Sequence, residues 1–313
     1  MTGLPTRSSI VRVATEAAWV AGLSCGAALA VLFLFFEAPW SVLAQNWFIT
    51  PVAVLAATFA NATAVGGGFV FVPLFLFGLD LTALQSLKLS LASQAFGMTS
   101  GALGWSRTFI LPGPLLAAGL TSGAGMAIGT FVLPADASMI KGIFGWVALG
   151  IAAALALEMR FGDRQVLLRI ESRSFARDAG YGLACLVGGV LTAWVSIGIG
   201  EVVALYLLFV YRIRIEAAIA TGVAALAFDS ILGFAFHANL GGIHWEYLVF
   251  TAPGCVLGGR YGARLGRWVE GRGNLATHEP GAPPNHASPL KWLFVGVCVV
   301  DGIGMLLQPF LRP

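Results

Sequence analysis

Apolar residues along this chain come in runs too long and too unbroken for water-facing helices. Arg7 and Arg12 precede a first run from Trp19 to Phe36. Glu37-Ala38-Pro39-Trp40 follows it in place of a small-residue cleavage site, so the run reads as a retained helix. After a polar break near Gln45-Asn46, apolar sequence extends from Trp47 to Leu79. A membrane span takes about 20 residues, so this run is too long for one span and too short for two. Gly66-Gly67-Gly68 stand in its middle, and glycines let the backbone turn sharply. The pattern predicts a long helix to about Thr63, a glycine break, and a half-helix from about Phe69 to Phe77. Spans follow near 83–106, 113–133 and 139–157. Arg160–Asp178, with five arginines, is the first clearly aqueous stretch.

The pattern then starts again. Ala179–Tyr211 is a second over-long run, broken at Gly198-Ile199-Gly200. Spans near 215–237, 245–265 and 290–308 follow. Gly271–Pro289, rich in Pro, Gly and Asn, reads as a flexible solvent loop. A shift of 132 positions lays Gly66 on Gly198, Gly68 on Gly200, Phe77 on Phe209, Phe96 on Phe228 and Gly101 on Gly233. A shift of 133 lays Gly125 on Gly258 and Gly129 on Gly262. The near-constant offset across three consecutive elements marks an internal repeat. Four segments result: a tail with an extra helix (1–44), a first repeat (45–158), an arginine-rich linker (159–178) and a second repeat (179–313) with a cytoplasmic loop at 266–289.

Composition agrees. Of the 313 residues 58% are hydrophobic and only 11% charged, against about 25% charged in soluble proteins. This excludes a water-soluble enzyme and a nucleic-acid-binding chain, and leaves an all-α polytopic membrane protein. The 40 glycines suit close helix approach. If each over-long run is a hairpin returning to its own side, a cytoplasmic N-terminus puts 15 of the 18 Lys and Arg residues inside. Single crossings would put the five-arginine linker outside, against the positive-inside rule. Each half is then one hairpin plus three crossings, an odd number. Two such halves are inverted relative to each other, as in many secondary transporters, and the C-terminus lies outside.

Candidate chemistry gathers at the breaks. Half-helix N-termini carry unpaired N–H groups and a positive dipole end, which receive anions. Gly66, Gly67, Gly68, Gly198 and Gly200 are therefore candidate substrate-binding positions. Asn61, Thr63, Thr192 and Ser196 stand just before the breaks, to cap the half-helices or to touch substrate. On the helix 83–106, Ser86, Ser90, Ser93, Gln94, Gly97, Ser100, Gly101 and Gly104 share one face. Ser90, Ser93 and Gln94 of that face join the substrate-binding set. Lys88 points nearly opposite and reads as snorkelling to the outer interface.

Asp229 falls on Gly97 under the 132 shift, on the interior face of its helix, and an ionisable group in mid-span is a functional candidate by default. Asp229 and Glu201 are the proton-coupling candidates, set against a structural bond to a neighbouring helix. Asp301 is a weaker third. His237 and His244 read as interfacial. The four cysteines, all in apolar runs and without CxxC spacing, imply neither a metal site nor a disulfide framework. No cofactor is expected, no HExxH metalloprotease motif is present, and the small-residue runs lack the adjacent His of a hydrolase.

AVGGGFVFVPLFLF (Ala64–Phe77) resembles the glycine-rich, proline-containing motif of the TauE/SafE sulfite exporter family. PGCVLGGRYGARLG (Pro253–Gly266) resembles that family's later small-residue helix motif. The likeness covers roughly residues 45–308. It implies a permease for sulfite, sulfoacetate or related small organosulfur or carboxylate anions. The second break, SIGIGEVVALYLLF (Ser196–Phe209), departs from the first: Glu201 follows Gly200, and Leu205 stands where the first half has Pro73. The expectation is an inner-membrane secondary transporter of small sulfur-containing anions, driven by ion or proton coupling, since no ATP-binding motif is present. Its partners would be the anion and the lipid bilayer, without nucleic acid, and a homodimer is one option for its assembly. A small-carboxylate permease, an anion channel and a scaffold without transport are the alternatives.

Overall fold

A computed structural model describes residues 7–63, 66–105, 109–161, 174–276 and 289–311. Its elements are all helical. They run α1 Arg7–Phe35, α2 Pro39–Asn46, α3 Ile49–Thr63, α4 Gly68–Pro73, α5 Ala83–Gly104, α6 Pro112–Ala127, α7 Ala137–Phe161, α8 Phe175–Val195, α9 Ile199–Phe209, α10 Ile215–Asn239, α11 Trp245–Ala276 and α12 Pro289–Leu311.

Local chemistry sets many of these bounds. Pro39 and Pro112 open α2 and α6, where a missing N–H costs nothing. Thr82 and Gln85 form a capping box at the start of α5. Asp136 caps α7, its Oδ1 accepting from the Ser138 and Met139 N–H groups at 2.9 and 2.7 Å. Pro73 ends α4 by withholding its N–H, and the chain continues as a wider π turn over Leu74–Gly78.

Both over-long runs break where glycine predicts. The first gives α3, a break and the short α4 with its π turn; the second gives α8, a break at Ser196–Gly198, and α9. Three details differ from the sequence expectation. The polar break near Gln45-Asn46 lies at the end of the short helix α2, and α2 meets α3 at 51°. Helix α11 runs on to Ala276 and takes up part of the expected loop 266–289. Arg267 holds this extension by donating to the Gly104 carbonyl at 2.7 Å. The expected linker 159–178 is helical at both ends, in α7 and α8. Residues 162–173 and 277–288 lie outside the described residues.

The helices pack in a palindromic order: α3 on α11, α11 on α5, α5 on α10, α10 on α6, and α6 on α8, with α7 against α12. Small residues make the closest contacts. A β-carbon at Gly262 of α11 would lie 2.7 Å from Cβ of Asn61 on α3, and one at Gly129 after α6 would lie 2.8 Å from Cβ of Ala193 on α8. The two contacts are related by the repeat, Gly129 to Gly262 and Asn61 to Ala193. Likewise Gly258 rests on the Val54 carbonyl, and Gly125 on that of Leu186. Such close backbone approach is what drives helix association in lipid.

Large apolar side chains lie on the surface, and a set of polar ones is buried within a largely apolar interior. Trp19, Leu120, Trp146 and Leu183 are exposed, whereas Ser86, Ser90, Ser93, Gln94 and Asp229 are buried. Among the described residues four helices are long and apolar enough to cross a membrane: Pro112–Val132, Ser138–Leu157, Phe175–Val195 and Glu216–Asn239. The bent α2–α3 pair makes up to five. Helices α5 and α11, which the sequence also reads as crossings, fall short in hydropathy. Serines fill the buried face of α5, and α11 carries four arginines.

Candidate functional site

The second break is built by local chemistry. Ser196 adopts the left-handed region (φ 62°) and Gly198 a φ of 144° that only glycine takes without strain. Thr192, on the last turn of α8, accepts the Ile199 N–H at 3.0 Å on Oγ1. It thereby caps α9, one of the two roles that the sequence left open for it. Glu201 sits three residues past the N-cap and accepts the Gly198 N–H at 3.0 Å on Oε2.

The first break has no side-chain cap of its own. Its Gly66 N–H donates instead across the molecule, to Glu201 Oε1 at 2.6 Å. One fully enclosed carboxylate thus receives an N–H from each break. The breaks also touch directly: Gly68 packs on the Ser196 carbonyl so closely that no β-carbon would fit.

Gln94 of α5 completes the cluster. Its Nε2 donates to the Ser196 carbonyl at 3.0 Å, to Ser90 Oγ at 3.2 Å and to Ser196 Oγ. Ser90 and Ser196 hydroxyls are 2.8 Å apart. Gln94 Oε1 is buried without a hydrogen-bond partner. It faces the first break: a β-carbon at Gly66 would lie 3.4 Å from it and 3.2 Å from Glu201 Oε1. A β-carbon at Gly67 would lie 3.2 Å from Gln94 Cγ. Gly200 belongs to the first turn of α9, where its carbonyl supports Gly222 of α10.

The structure therefore brings Gly66, Gly67, Gly68, Ser90, Gln94, Ser196, Gly198 and Glu201 to one buried place, with Thr192 and Gly200 beside it. The sequence expectation of unpaired N–H groups changes here, because Glu201 already occupies one from each break. Three other candidates bond elsewhere. Asn61 Nδ2 donates to the Ala57 carbonyl at 2.9 Å, and the Trp105 indole donates to the Asn61 carbonyl at 3.3 Å. Thr63 donates back to Phe59 O at 3.0 Å, within its own helix. Ser93 donates to Thr251 Oγ1 of α11 at 2.8 Å.

Asp229 forms a separate polar spot. Its Oδ1 accepts from Ser122 Oγ of α6 at 2.7 Å, and its Oδ2 has no hydrogen-bond partner. Sequence reasoning missed Ser122, Thr251 and Trp105, which no local motif marks. Lys88 is buried and donates to the Gly241 carbonyl at 2.8 Å, in the loop between α10 and α11. His237, in the last turn of α10, is also buried, with neither ring nitrogen hydrogen-bonded. His244 Nδ1 lies 2.7 Å from Glu246 Oε1. Among the described residues no three His, Cys, Asp or Glu side chains gather as metal ligands.

A family model described as sulfite exporter TauE/SafE matches residues 49–276, more than half of the chain. The chain belongs to the TauE/SafE family. The matched segment of this TauE/SafE membrane transporter begins with the first residue of α3 and ends with the last of α11. It thus contains both breaks and leaves out α1, α2 and α12. A curated relative from Bacillus subtilis (strain 168), named probable membrane transporter protein YunE, is 26% identical over 241 residues. The alignment covers 70% of this chain and 88% of the relative. No solved structure matches significantly.

Proposed function

We propose that this multi-pass membrane protein is a secondary transporter that exports small sulfur-containing anions such as sulfite or sulfoacetate by alternating access. The observation that carries the reading is the meeting of both glycine breaks at one buried carboxylate. Each break presents a backbone N–H to one of the two oxygens of the Glu201 carboxyl group, buried inside the protein. Family membership supports the sulfur-anion class, since the site itself selects for oxygens rather than for sulfur.

Alternating access rests on the repeat. The palindromic packing order and the paired glycine contacts, Gly262 on Asn61 and Gly129 on Ala193, support two inverted halves. Such halves rock against each other around a central site. The basic residues then support an inner-membrane orientation with the N-terminus in the cytoplasm and the C-terminus outside. Glu201 and Asp229, buried and ionisable, are the candidate proton carriers.

A second reading, transport of small carboxylates, is favoured by the chemistry of Glu201: the group these N–H donors already hold is a carboxylate. Flux measurements in proteoliposomes with sulfite, sulfoacetate, thiosulfate and short carboxylates decide between them. Saturable, substrate-selective flux is expected. Unselective pore current would make the protein a channel, and absence of flux for every anion would overturn transport. For orientation, single cysteines at positions 169 and 240 should label from the cytoplasmic and external sides, respectively. External labelling at 169 would sink the inverted arrangement.

A further inference from the structure

Glu201 has two roles to weigh. As the third residue of α9 it accepts its own N-cap N–H, and that alone would be an ordinary capping arrangement. Capping does not explain the second bond. Glu201 Oε1 reaches the N–H of Gly66, 135 positions earlier, in the other half of the chain. The same carboxyl group closes both breaks, with a backbone N–H on each of its two oxygens. Beside it, Gln94 Oε1 is left buried without a partner and faces Gly66.

We propose that Glu201 is a tethered stand-in for the transported anion: its carboxylate fills an oxyanion subsite that the free substrate takes over when the Glu201 side chain swings out. The inference rests on the anion-transporter reading above and names how its site is built. The subsite offers two N–H donors, from Gly66 and Gly198, to two oxygens of the ligand. It also offers one acceptor, Gln94 Oε1. That set fits a small oxyanion that keeps one O–H, with the anionic oxygens on the N–H groups and the hydroxyl donating to Gln94. Hydrogensulfite has this chemistry. Leu226, whose Cδ2 approaches Gly66, gives the apolar wall. Substrate and Glu201 compete for one place, so an empty site is never left unsatisfied in the membrane interior, where bare N–H groups are costly.

Removing the tethered carboxylate tests this. Glu201→Ala leaves a cavity with the two N–H donors unpaired, and Glu201→Gln removes the charge while keeping the volume. In purified full-length protein, formate and sulfite should each raise the Tm of Glu201→Ala by about 2–4 °C when present in several-fold excess over Kd. The wild type should respond much less. Sulfite should also bind both variants at least about tenfold more tightly than wild type, a difference of about 1.4 kcal/mol. If Glu201→Ala does not fold, the Glu201→Gln affinity carries the test. A folded variant whose Tm and affinity are no more sensitive to anions than those of wild type would overturn the proposal and leave Glu201 as a cap. That result together with sulfite flux by the wild type would leave the transporter reading intact. Rescue by formate without any flux would keep the subsite and overturn the sulfur-anion reading.

Discussion

The two glycine breaks have matching places in the repeat and opposite chemistry. The first supplies backbone only: Gly67 and Gly68 pack tightly, no side chain caps the turn, and its Gly66 N–H looks outside its own half for a partner. The second supplies side chains: Thr192 and Glu201 cap it, and Ser196 turns it. The position of Glu201 is held in the first half by Phe69, which is buried and packs edge-on against Phe144. The same contrast recurs one helix later. Gly97 of α5 packs on Cys255 of α11, with 3.2 Å between the sulfur residue's Cβ and a built β-carbon. Its repeat counterpart is Asp229 of α10, bonded to Ser122 of α6. Backbone packing follows the offset of 132 to 133 positions, while the buried carboxyl groups among the described residues, Glu201, Glu216 and Asp229, all lie in the second half. Helix contact through small residues constrains both halves alike, but one carboxyl group suffices for a site that both breaks share.

Breaking the contact between the breaks should have the largest effect. Gly68 lies directly against the Ser196 carbonyl, so Gly68→Leu should abolish transport and either abolish folding or leave a protein that elutes monodisperse without binding substrate. A β-carbon at Gly67 would come nearest the movable Phe71 ring and Gln94 side chain, at 3.0 and 3.2 Å, and no backbone atom is among its three nearest neighbours. Gly67→Leu should fold and lose binding. Unchanged affinity in folded Gly67→Leu would make the glycines packing devices and move the site elsewhere.

The carboxylates of the second half should separate next. Asp229→Asn keeps an acceptor for Ser122 while removing the charge. It should abolish pH-driven flux in proteoliposomes and retain substrate exchange. Normal proton-driven transport in that variant would shift the role to Glu201 or remove proton coupling.

A smaller effect is expected where the halves are tied by neutral groups. Interhelical hydrogen bonds in membranes are worth about 0.6 kcal/mol on average and about 1.7 at most. A double-mutant cycle of Ser90→Ala and Ser196→Ala should give a coupling energy in that range. Zero coupling would mean that Gln94, not the hydroxyl pair, joins α5 to the second break.

Asp136, far from both breaks in sequence and exposed at the start of α7, is the control and the smallest effect. The Met139 N–H, with the Ser138 hydroxyl and N–H, holds its carboxyl below the usual range. A group depressed in this way stabilises the fold above its unfolded pKa and loses that contribution as pH falls through the folded one. Asp136→Ala should lower Tm slightly at neutral pH, with the difference vanishing on acidification and substrate affinity untouched. An affinity change would show that the loop before α7 reaches the site.

Much of this was legible along the chain. Two over-long apolar runs with central glycines could only be broken helices, since lipid tolerates no other way to use that length. The serine face of α5 followed from helical period, and matched positions in the two halves followed from constant offsets. Glu201 stood out in sequence as a carboxyl group at the second break and a proton-coupling candidate, without a sign of what it bonds. What the tertiary structure alone decided is who meets whom: Glu201 with Gly66, Asp229 with Ser122, Arg267 with Gly104, Lys88 with Gly241. Sequence read Lys88 and His237 as interfacial without naming a contact, and the packing of α5 against α10 leaves both with little exposed surface. The reason is physical. Periodicity and composition act on neighbours in sequence, and they state which face of a helix is buried. Which buried group that face finds depends on how helices rotate and close on one another, through contacts more than a hundred residues apart in the chain.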